Sequence, residues 1–371
     1  MFFKNLFCVV CLFFCFLICC NFCCEVFAEG LFQFKEESGK RLVLTDGKLP
    51  VLVYCFDVVE HEKVPKKDLR RAAGCYVHPL YGIDGEELTD NAPVDHFHHH
   101  GVFWTWPHVG VHNEDGKIKN YDLWTSNTTL KQHFVRWIDR QTLPDSAFFE
   151  VENGWFVGEP VDKNKIMSER VKIIVHRIKV DKNNDGKDKV KGKDEDDVKG
   201  KDEGKGKDES EGLKSRAVDI QIVLKPVKPI SLRGSEGKSY GGLSIRFKPY
   251  IPENERGKKN VAAKQSDFNI ITTPQGTAKS DLPQTPLAWA DYTSKFGGRD
   301  TYCGAAIFIP KAHPDYPPTW LTRYYGPLCV GWPGVKERTF QPNEEIKLNY
   351  RIWIHNKKVT TQQIKKYYNE M

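Results

Sequence analysis

A histidine-rich stretch, DHFHHHG at residues 95–101, carries the groups in this chain that are best suited to chemistry. Four of the 12 histidines fall in it, and an aspartate precedes them. A neutral imidazole is a suitable acid or base near pH 7, and it is also a common metal ligand. The stretch therefore allows three interpretations: an acid–base or carbohydrate site, a metal site, or a polar loop with hydrogen-bonded histidines.

The metal interpretation depends on an extended backbone through the stretch. If residues 96–106 form a strand, His96 and His98 point to the same side and lie about 7 Å apart at their Cα atoms. That spacing suits two ligands of one divalent metal, and Asp95 would fix the tautomer of one imidazole. A third ligand would have to come from elsewhere, and the candidates are His78, His108, His112 and His133.

The carbohydrate interpretation depends on the aromatic residues that follow the histidines. In the same extended backbone, Trp104 and Trp106 share a face with His96, His98 and His100. A sugar ring could stack on an indole while imidazoles bind its hydroxyl groups. The chain also contains 22 Phe, 14 Tyr and 9 Trp, a composition that suits β structure.

The elements around the stretch are predicted to be strands. Short runs such as RVKIIVHRIKV (170–180) and RAVDIQIVLKP (216–226) alternate apolar and polar residues, and Gly, Pro, Asp and Asn separate them. The clearest helix is the C-terminal TTQQIKKYYNEM, where Thr361 is the expected cap. We therefore predict a mainly β fold, a large antiparallel β-sandwich with a short C-terminal helix. No glycine-rich phosphate loop, GxSxG or HExxH is present, which disfavours nucleotide enzymes, serine hydrolases and zincins.

The first 28 residues are typical of a secretory signal peptide, with Lys4 before a long apolar run. We expect a secreted or periplasmic protein, membrane-anchored only if the peptide is not cleaved, and a single β-sandwich domain over residues 29–371. Seven of the 11 cysteines lie in the signal peptide. The other four either pair locally, as Cys55–Cys75 and Cys303–Cys329, or stay as free buried thiols.

Residues 181–215 are predicted to be a disordered charged insert within a hairpin, because they offer almost nothing to bury. The formal charge of the whole chain is +6, but its basic residues are scattered and form no arginine-rich helix. We therefore expect no nucleic-acid partner.

The segment YVHPLYGIDGEELTDNAPVDHFHHHGVFW resembles the hallmark of the PmoA-like family, secreted proteins labelled as methane oxygenases and common in planctomycetes. Further similar segments are YGGLSIRF, WADYTS, GAAIFIPKAHPDYPPTWLTRYYG and LNYRIWIH, so the resemblance spans roughly residues 40–357. Phe97 stands where the family usually has proline, and His100 where it has arginine. At the level of the fold, the chain is also similar to galactose mutarotases, in which a histidine and a carboxylate act as acid and base on a sugar.

The resulting hypothesis is a protein that binds or acts on a carbohydrate or another small molecule. The expected catalytic residues are His96, His98, Asp95 and Asp291. The expected substrate-binding residues are His78, His99, Trp104, Arg246, His313, Trp320 and Arg323. An equally simple interpretation of Arg246 and Asp291 is a buried structural ion pair. The alternatives are a copper-, zinc- or iron-dependent oxidoreductase or hydrolase with His96 and His98 as ligands, and a non-catalytic glycan-binding module.

Overall fold

A computed structural model describes residues 31–126, 128–181, 212–252 and 268–371. The predicted signal peptide and most of the predicted insert lie outside the described residues. The described part is a large antiparallel β-sandwich with one short C-terminal helix, as the alternating strand patterns predict. None of its helices is long and apolar enough to cross a membrane.

The strands are short in the first half of the chain and longer around the charged insert. In chain order they are β1 (Phe32–Glu37), β2 (Arg41–Asp46), β3 (Leu49–Cys55), β4 (Val59–Glu60), β5 (Ala72–Ala73), β6 (Tyr76–Leu80), β7 (Val102–Thr105), β8 (His108–His112), β9 (Ile118–Tyr121), β10 (Leu130–Thr142), β11 (Ser146–Val157), β12 (Lys165–His176), β13 (Lys179–Asp181), β14 (Leu213–Pro226), β15 (Ile230–Arg233), β16 (Gly242–Arg246), β17 (Ile270–Thr273), β18 (Gly276–Thr277), β19 (Leu282–Pro286), β20 (Trp289–Ser294), β21 (Cys303–Phe308), β22 (Thr319–Thr322), β23 (Pro327–Gly331), β24 (Arg338–Phe340) and β25 (Ile346–His355). Single 3₁₀ turns occur at Leu69–Arg71, Asp162–Asn164 and Phe296–Gly298.

Two large sheets contain most of these strands. One has nine strands in the order β1-β2-β3-β6-β7-β16-β23-β22-β19. The other has ten in the order β10-β11-β12-β14-β25-β21-β20-β17-β18, and β13 pairs with β14 at its side. Strands β24-β15-β8-β9 form a smaller sheet, and β4 pairs with β5. The strands of the described residues pair antiparallel. Because a strand is pleated, its successive residues alternate between the core and the outer face.

The core lies between the two large sheets and includes a buried carboxylate. Trp104 of the nine-stranded sheet and Ile173 and Ile220 of the ten-stranded sheet belong to the same buried cluster. Glu169 also lies there, and it accepts hydrogen bonds from Trp104 and Trp155 at 2.8 Å each. The side chains of Asn153 and Gln132 donate to the same carboxylate at 2.9 Å each. These four donors compensate for the removal of the carboxylate from water.

The C-terminal helix α1 (Thr361–Asn369) covers the outer face of the ten-stranded sheet. Its buried Ile364 belongs to the same apolar cluster as Phe308 and Trp353. The predicted cap is wrong by one residue. The side chain of Thr360 accepts from the backbone N–H of Gln363, whose side chain in turn accepts from the backbone N–H of Thr360, and this reciprocal pair is a capping box.

Strand pairing corrects the bounds of the predicted insert, and the structure decides between the two alternatives for the cysteines. Asp181 pairs with Leu213 and Lys179 with Ser215, so the ends of the predicted 181–215 insert are strand residues. The four cysteines of the described chain are free and buried, which agrees with the second of the two alternatives for them and not with the pairs Cys55–Cys75 and Cys303–Cys329. Burial raises the pKa of each of these thiols.

Candidate functional site

The histidine-rich stretch forms a loop of tight turns, so the extended backbone that the metal and carbohydrate interpretations assumed over residues 96–106 is not present in its first half. The backbone N–H of His96 donates to the carbonyl of Pro93 at 2.9 Å, and that of His99 to the carbonyl of His96 at 3.0 Å. Ala92 donates to the carbonyl of His99 at 2.8 Å and closes the loop. We call residues 93–99 the histidine turn. Side chains of successive turns do not alternate as in a strand, so the predicted grouping of His96 and His98 with Trp104 fails.

Gly101 returns the chain from the histidine turn to strand β7. Its φ is +60°, in the left-handed region that glycine tolerates best. A Cβ here would lie 2.2 Å from the carbonyl oxygen of Val77 and 2.8 Å from the Cβ of His78. The backbone of Gly101 also donates to Asp90 at 2.9 Å and accepts from Arg246 at 2.7 Å. The last residue of DHFHHHG is therefore a glycine because both the backbone angle and the space require one.

The histidine turn belongs to the face of the nine-stranded sheet that points away from the core. Phe103 of β7 and Leu321 of β22 form an apolar cluster on this outer face, whereas their neighbours Trp104 and Trp320 point into the core. Arg246 follows the core residue Ile245, so strand alternation places its side chain on the outer face as well.

Arg246 holds the start of the histidine turn through Asp95. Its Nη2 donates to both carboxylate oxygens of Asp95, at 3.1 and 3.0 Å, and its Nη1 lies 3.4 Å from Nδ1 of His99. The guanidinium also lies over the ring of Tyr325, 4.7 Å from its centroid. Arg246 is only 3% exposed, whereas the Asp95 side chain is 46% exposed. The buried guanidinium of Arg246 thus holds the Asp95 carboxylate at a position where it is partly exposed to solvent.

The imidazoles of the turn form a compact aromatic group with Tyr325. The His96 ring lies parallel to His99 at 4.6 Å and to Tyr325 at 5.1 Å between centroids. The His98 ring meets His96 and His99 edge-on, at 5.6 and 4.7 Å. Nδ1 of His96 lies 3.0 Å from Oδ2 of Asp95, although the geometry falls short of a hydrogen bond. Asp95 therefore lies next to an imidazole nitrogen, as a residue that positions one histidine would need to.

The charge states of this group follow from burial and from Arg246. Burial lowers the pKa of His98 to about 4, with a further contribution from His96, and it lowers the pKa of His99 well below the usual value. Burial opposes ionisation of Asp95, but His96 and Arg246 outweigh it and lower the pKa of Asp95 to about 2. At neutral pH the site therefore combines an ionised carboxylate with uncharged imidazoles at His98 and His99.

A cleft of about 240 Å³, which we call the Tyr325 cleft, opens beside these rings. Its walls combine imidazoles, aromatic and apolar side chains, and two cations, and they are formed by His96, His98, His99, Trp124, Thr125, Lys238, Tyr240, Leu321, Arg323, Tyr325, Pro327 and Cys329. Arg323, one of the expected substrate-binding residues, lines the cleft and donates to Asp281 at 2.8 Å. The structure thus brings together Asp95, His96, His98, His99, Arg246 and Arg323.

His78 and His100 lie outside the Tyr325 cleft. Nδ1 of His78 lies 3.0 Å from the hydroxyl of Thr89, and its Nε2 lies 3.6 Å from Glu87. Nδ1 of His100 lies 2.9 Å from Oδ1 of Asn91. Burial lowers the pKa of His78 to about 3 and that of His100 well below its usual value. Both imidazoles are held in place by protein groups, so the expected contact of His78 with substrate finds no support.

Three of the predicted substrate-binding residues lie in the interior. Trp104 and Trp320 are fully buried, and their indole N–H groups donate to Glu169 at 2.8 Å and to the carbonyl of Leu287 at 2.9 Å. His313 is 3% exposed and contacts the carbonyl of Pro314 and the hydroxyl of Tyr350. The alternation of β7 and β22 explains the error for the tryptophans, because it directs their ring faces into the core.

Asp291 is separated from the histidine turn by the whole sandwich. It lies on β20 with its side chain on the outer face of the ten-stranded sheet, since its neighbours Ala290 and Tyr292 point into the core. It accepts from Nε2 of His355 at 2.9 Å and from the hydroxyl of Thr293 at 2.7 Å, and all three are buried. The structure therefore contradicts both a catalytic pairing of Asp291 with the histidines and an Arg246–Asp291 ion pair.

The metal interpretation also depended on a third ligand near His96 and His98. Among the residues that the structure describes, no group of three or more His, Cys, Asp and Glu side chains is arranged to hold a metal ion. His108 and His112 lie on β8 of the small sheet, and His133 lies on β10. The predicted third-ligand candidates therefore do not complete a site with His96 and His98.

Sequence reasoning missed three aromatic residues of the cleft, namely Trp124, Tyr240 and Tyr325. The Trp124 and Tyr240 rings lie 4.5 Å apart, and Trp124 meets His99 edge-on at 5.9 Å. The one available signal was the sequence RYYG at 323–326, which begins with the predicted Arg323.

The sequence profile of DUF6807, a family of unknown function, matches residues 41–369. The chain belongs to DUF6807. The matched part of this DUF6807 chain includes both large sheets beyond β1 and the complete histidine turn. No curated protein matches the chain. The expected likeness to PmoA-like proteins and to galactose mutarotases stays a prediction.

Proposed function

We propose that this protein binds a carbohydrate in the Tyr325 cleft and that its histidine turn supplies acid–base groups to the sugar. The observation that carries the proposal is the parallel packing of His96 between His99 and Tyr325 beside a cleft of about 240 Å³. Pockets for drug-sized molecules begin at roughly 300 Å³, so this cleft suits a ligand of about one sugar ring.

The chemistry of the walls favours a hydroxylated ligand. Trp124, Tyr240 and Leu321 offer apolar surface on which the C–H face of a sugar can pack. His98 offers an uncharged imidazole, whose Nδ1 has no hydrogen bond from the described part of the chain. Arg323 adds N–H donors at the wall. Apolar surface with a few convergent hydrogen-bonding groups is the usual composition of a small-molecule site.

His96 is the proposed acid–base residue, and Asp95 is the residue that positions it. The carboxylate of Asp95 faces Nδ1 of His96 at 3.0 Å, which leaves Nε2 as the nitrogen that exchanges a proton with the ligand. Arg246 keeps Asp95 ionised and fixed. Asp291, the other carboxylate expected from the sequence, plays no part in this proposal because it lies across the core.

The same proposal places the protein outside the cytoplasm, on the strength of the predicted signal peptide. The expected likeness to galactose mutarotases agrees with a histidine–carboxylate pair on an outward sheet face, and it remains an expectation.

The experiment is a calorimetric screen of the chain from residue 29 against monosaccharides, followed by proton NMR of any sugar that binds. We expect saturable binding that His98→Gln weakens about 3- to 10-fold, the usual value of one neutral hydrogen bond. The matched control is His108→Gln, which changes an exposed histidine on the small sheet. Turnover abolished by His96→Gln would support acid–base chemistry, and binding without turnover would reduce the function to a glycan-binding module. Equal binding by wild type and His98→Gln would overturn the proposed site.

A further inference from the structure

A second and larger cavity adjoins the Tyr325 cleft. It has a volume of about 340 Å³, and we call it the His100 cavity after one of its lining residues. His98 and Trp124 line both spaces, so these two side chains form the wall between them. Nothing in the proposed function uses the His100 cavity.

Buried polar groups of the His100 cavity lack partners. Nε2 of His100 and Oγ1 of Thr105 have no hydrogen bond from the described part of the chain, and the two residues are 6% and 8% exposed. Nδ1 of His98 also has no hydrogen bond from the described part of the chain. A buried polar group without a partner costs about 1–3 kcal/mol, so these atoms favour a ligand that can satisfy them.

The hydrogen-bonding character of His100 can be read from its neighbours. The amide nitrogen of Asn91 donates to the hydroxyl of Tyr76 at 3.3 Å, which leaves the amide oxygen facing Nδ1 of His100 at 2.9 Å. Nδ1 therefore carries the hydrogen, and Nε2 accepts. Since burial keeps this imidazole neutral, the group that fits Nε2 is a neutral donor such as a hydroxyl.

Of the charged residues that line the cavity, Lys66 is exposed, and the more enclosed ones contact other protein groups. Arg71 contacts Glu60 at 3.2 Å, and Asp68 accepts from Arg70. Lys131 donates to the backbone carbonyls of Leu69 and Ser126. The unsatisfied interior groups are thus the uncharged ones, which points to a neutral polar ligand rather than an anion.

The apolar part of the cavity is aromatic. Phe103 and Trp124 pack at 5.1 Å between centroids, and Tyr76 belongs to the same buried cluster on the outer face of the sheet. An aromatic wall opposite uncharged hydrogen-bonding groups matches the two kinds of surface on a sugar ring.

We propose that the His100 cavity is a second saccharide subsite and that a ligand of two linked sugar units spans from it past His98 and Trp124 into the Tyr325 cleft. This inference rests on the proposed function and names its substrate class, a disaccharide or a longer glycoside. Thr105 and His100 bind hydroxyl groups of the second unit, and Phe103 packs against its ring.

The experiment compares glucose and galactose with cellobiose, maltose and lactose by calorimetry on the chain from residue 29. We expect at least one disaccharide to bind about 10-fold tighter than either of its component sugars. Thr105→Val should remove most of that advantage and leave monosaccharide affinity unchanged. Because Oγ1 of Thr105 has no partner, this near-isosteric change should also leave the midpoint of thermal unfolding unchanged or raised.

The possible results distinguish a failure of the second subsite from a failure of the proposed function. Equal affinity for a disaccharide and its component sugars, or an advantage that Thr105→Val does not change, overturns the second subsite and leaves the Tyr325 cleft in place. Absence of binding by every sugar overturns both. As a second variant, Tyr325→Ala should weaken monosaccharides and disaccharides alike, because it changes only the shared first subsite.

Discussion

Nη2 of Arg246 donates to both carboxylate oxygens of Asp95, and this contact joins the end of β16 to the beginning of the histidine turn. The pair is asymmetric, because Arg246 is 3% exposed and the Asp95 side chain 46%. The cation depends on its partner more than the carboxylate does, since a buried charge without a partner is costly.

The asymmetry predicts the effect of removing each partner. Asp95→Asn should lower the free energy of unfolding by about 1–3 kcal/mol, because it leaves the Arg246 guanidinium buried with a weaker acceptor. Adding Arg246→Met should restore part of that loss, since an apolar side chain of similar length removes the buried charge. Urea unfolding of the two single variants and the double variant measures this. A double variant whose loss equals the sum of the single losses would contradict the coupling.

Gly101 should be much less tolerant of alanine than another glycine in the same backbone region. Gly116 has a φ of +76° and open space where its Cβ would be, so Gly116→Ala should cost only about 1–2 kcal/mol from the left-handed conformation. Gly101→Ala adds a clash with the Val77 carbonyl and should cost clearly more, with loss of the histidine turn. Thermal unfolding of both variants is the measurement, and similar losses would show that the clash is relieved without cost.

The buried histidines should make the fold sensitive to mild acid. Burial lowers the pKa of His98 and His313 to about 4 and of His78 to about 3, from 6.5 in the unfolded chain. Between the folded and the unfolded pKa values, the unfolded chain binds protons that the folded chain does not. The free energy of unfolding therefore has its full value above about pH 6.5 and falls as the pH drops toward 4. Each histidine with a pKa lowered in this way contributes at most about 1.4 kcal/mol per pH unit to the change in the free energy of unfolding.

Urea unfolding at pH 7, 6 and 5 tests this dependence. His98→Gln should reduce the slope of stability against pH, and His108→Gln should change it less because His108 is exposed. Asp95 does not contribute to the change between pH 7 and pH 5. Its pKa is lowered from 3.8 to about 2, so the stabilisation it gives is lost only as the pH falls below about 3.8. A stability that is constant from pH 7 to pH 5 would refute the neutral, buried state of these imidazoles.

Asp291 should affect folding and leave ligand binding unchanged. Asp291→Asn weakens the buried contact with His355 and should lower the free energy of unfolding by about 1–3 kcal/mol. Affinity for a sugar that binds the wild type should change less than twofold, because the core separates Asp291 from the Tyr325 cleft. Calorimetry on the folded variant decides the question. If the variant folds but no longer binds the sugar, Asp291 contributes to the binding site after all.

The sequence allowed the fold class to be predicted because strand alternation leaves a clear pattern. Runs such as 170–180 and 216–226 do pair in the structure, where Ile173 lies opposite Ile220. The pattern does not say which of the two outer faces a polar residue will reach. Asp291 and Arg246 both point outward, but from different sheets, and only the strand order separates them.

The site itself could be predicted only in part. A dense group of histidines beside an aspartate pointed to the loop that the structure places at a cleft, and Arg246 and Arg323 do lie beside this loop. Trp104 was misplaced because a turn at residues 93–99 interrupts the alternation on which its assignment depended. Tyr325 was missed because its contact with His96 joins residues more than 200 positions apart, and local patterns carry no trace of such a contact.

A carbohydrate site at the histidine turn is tested most directly by the imidazole ¹⁵N–¹H NMR spectrum of the chain from residue 29 during titration with glucose, galactose, cellobiose, maltose and lactose. His→Gln variants assign the signals. We expect saturable shifts at His96 and His98, with His108 and His176 unchanged because they lie outside the cleft. Shifts confined to His108 or His176, or no shift with any sugar, would contradict a carbohydrate site at the histidine turn.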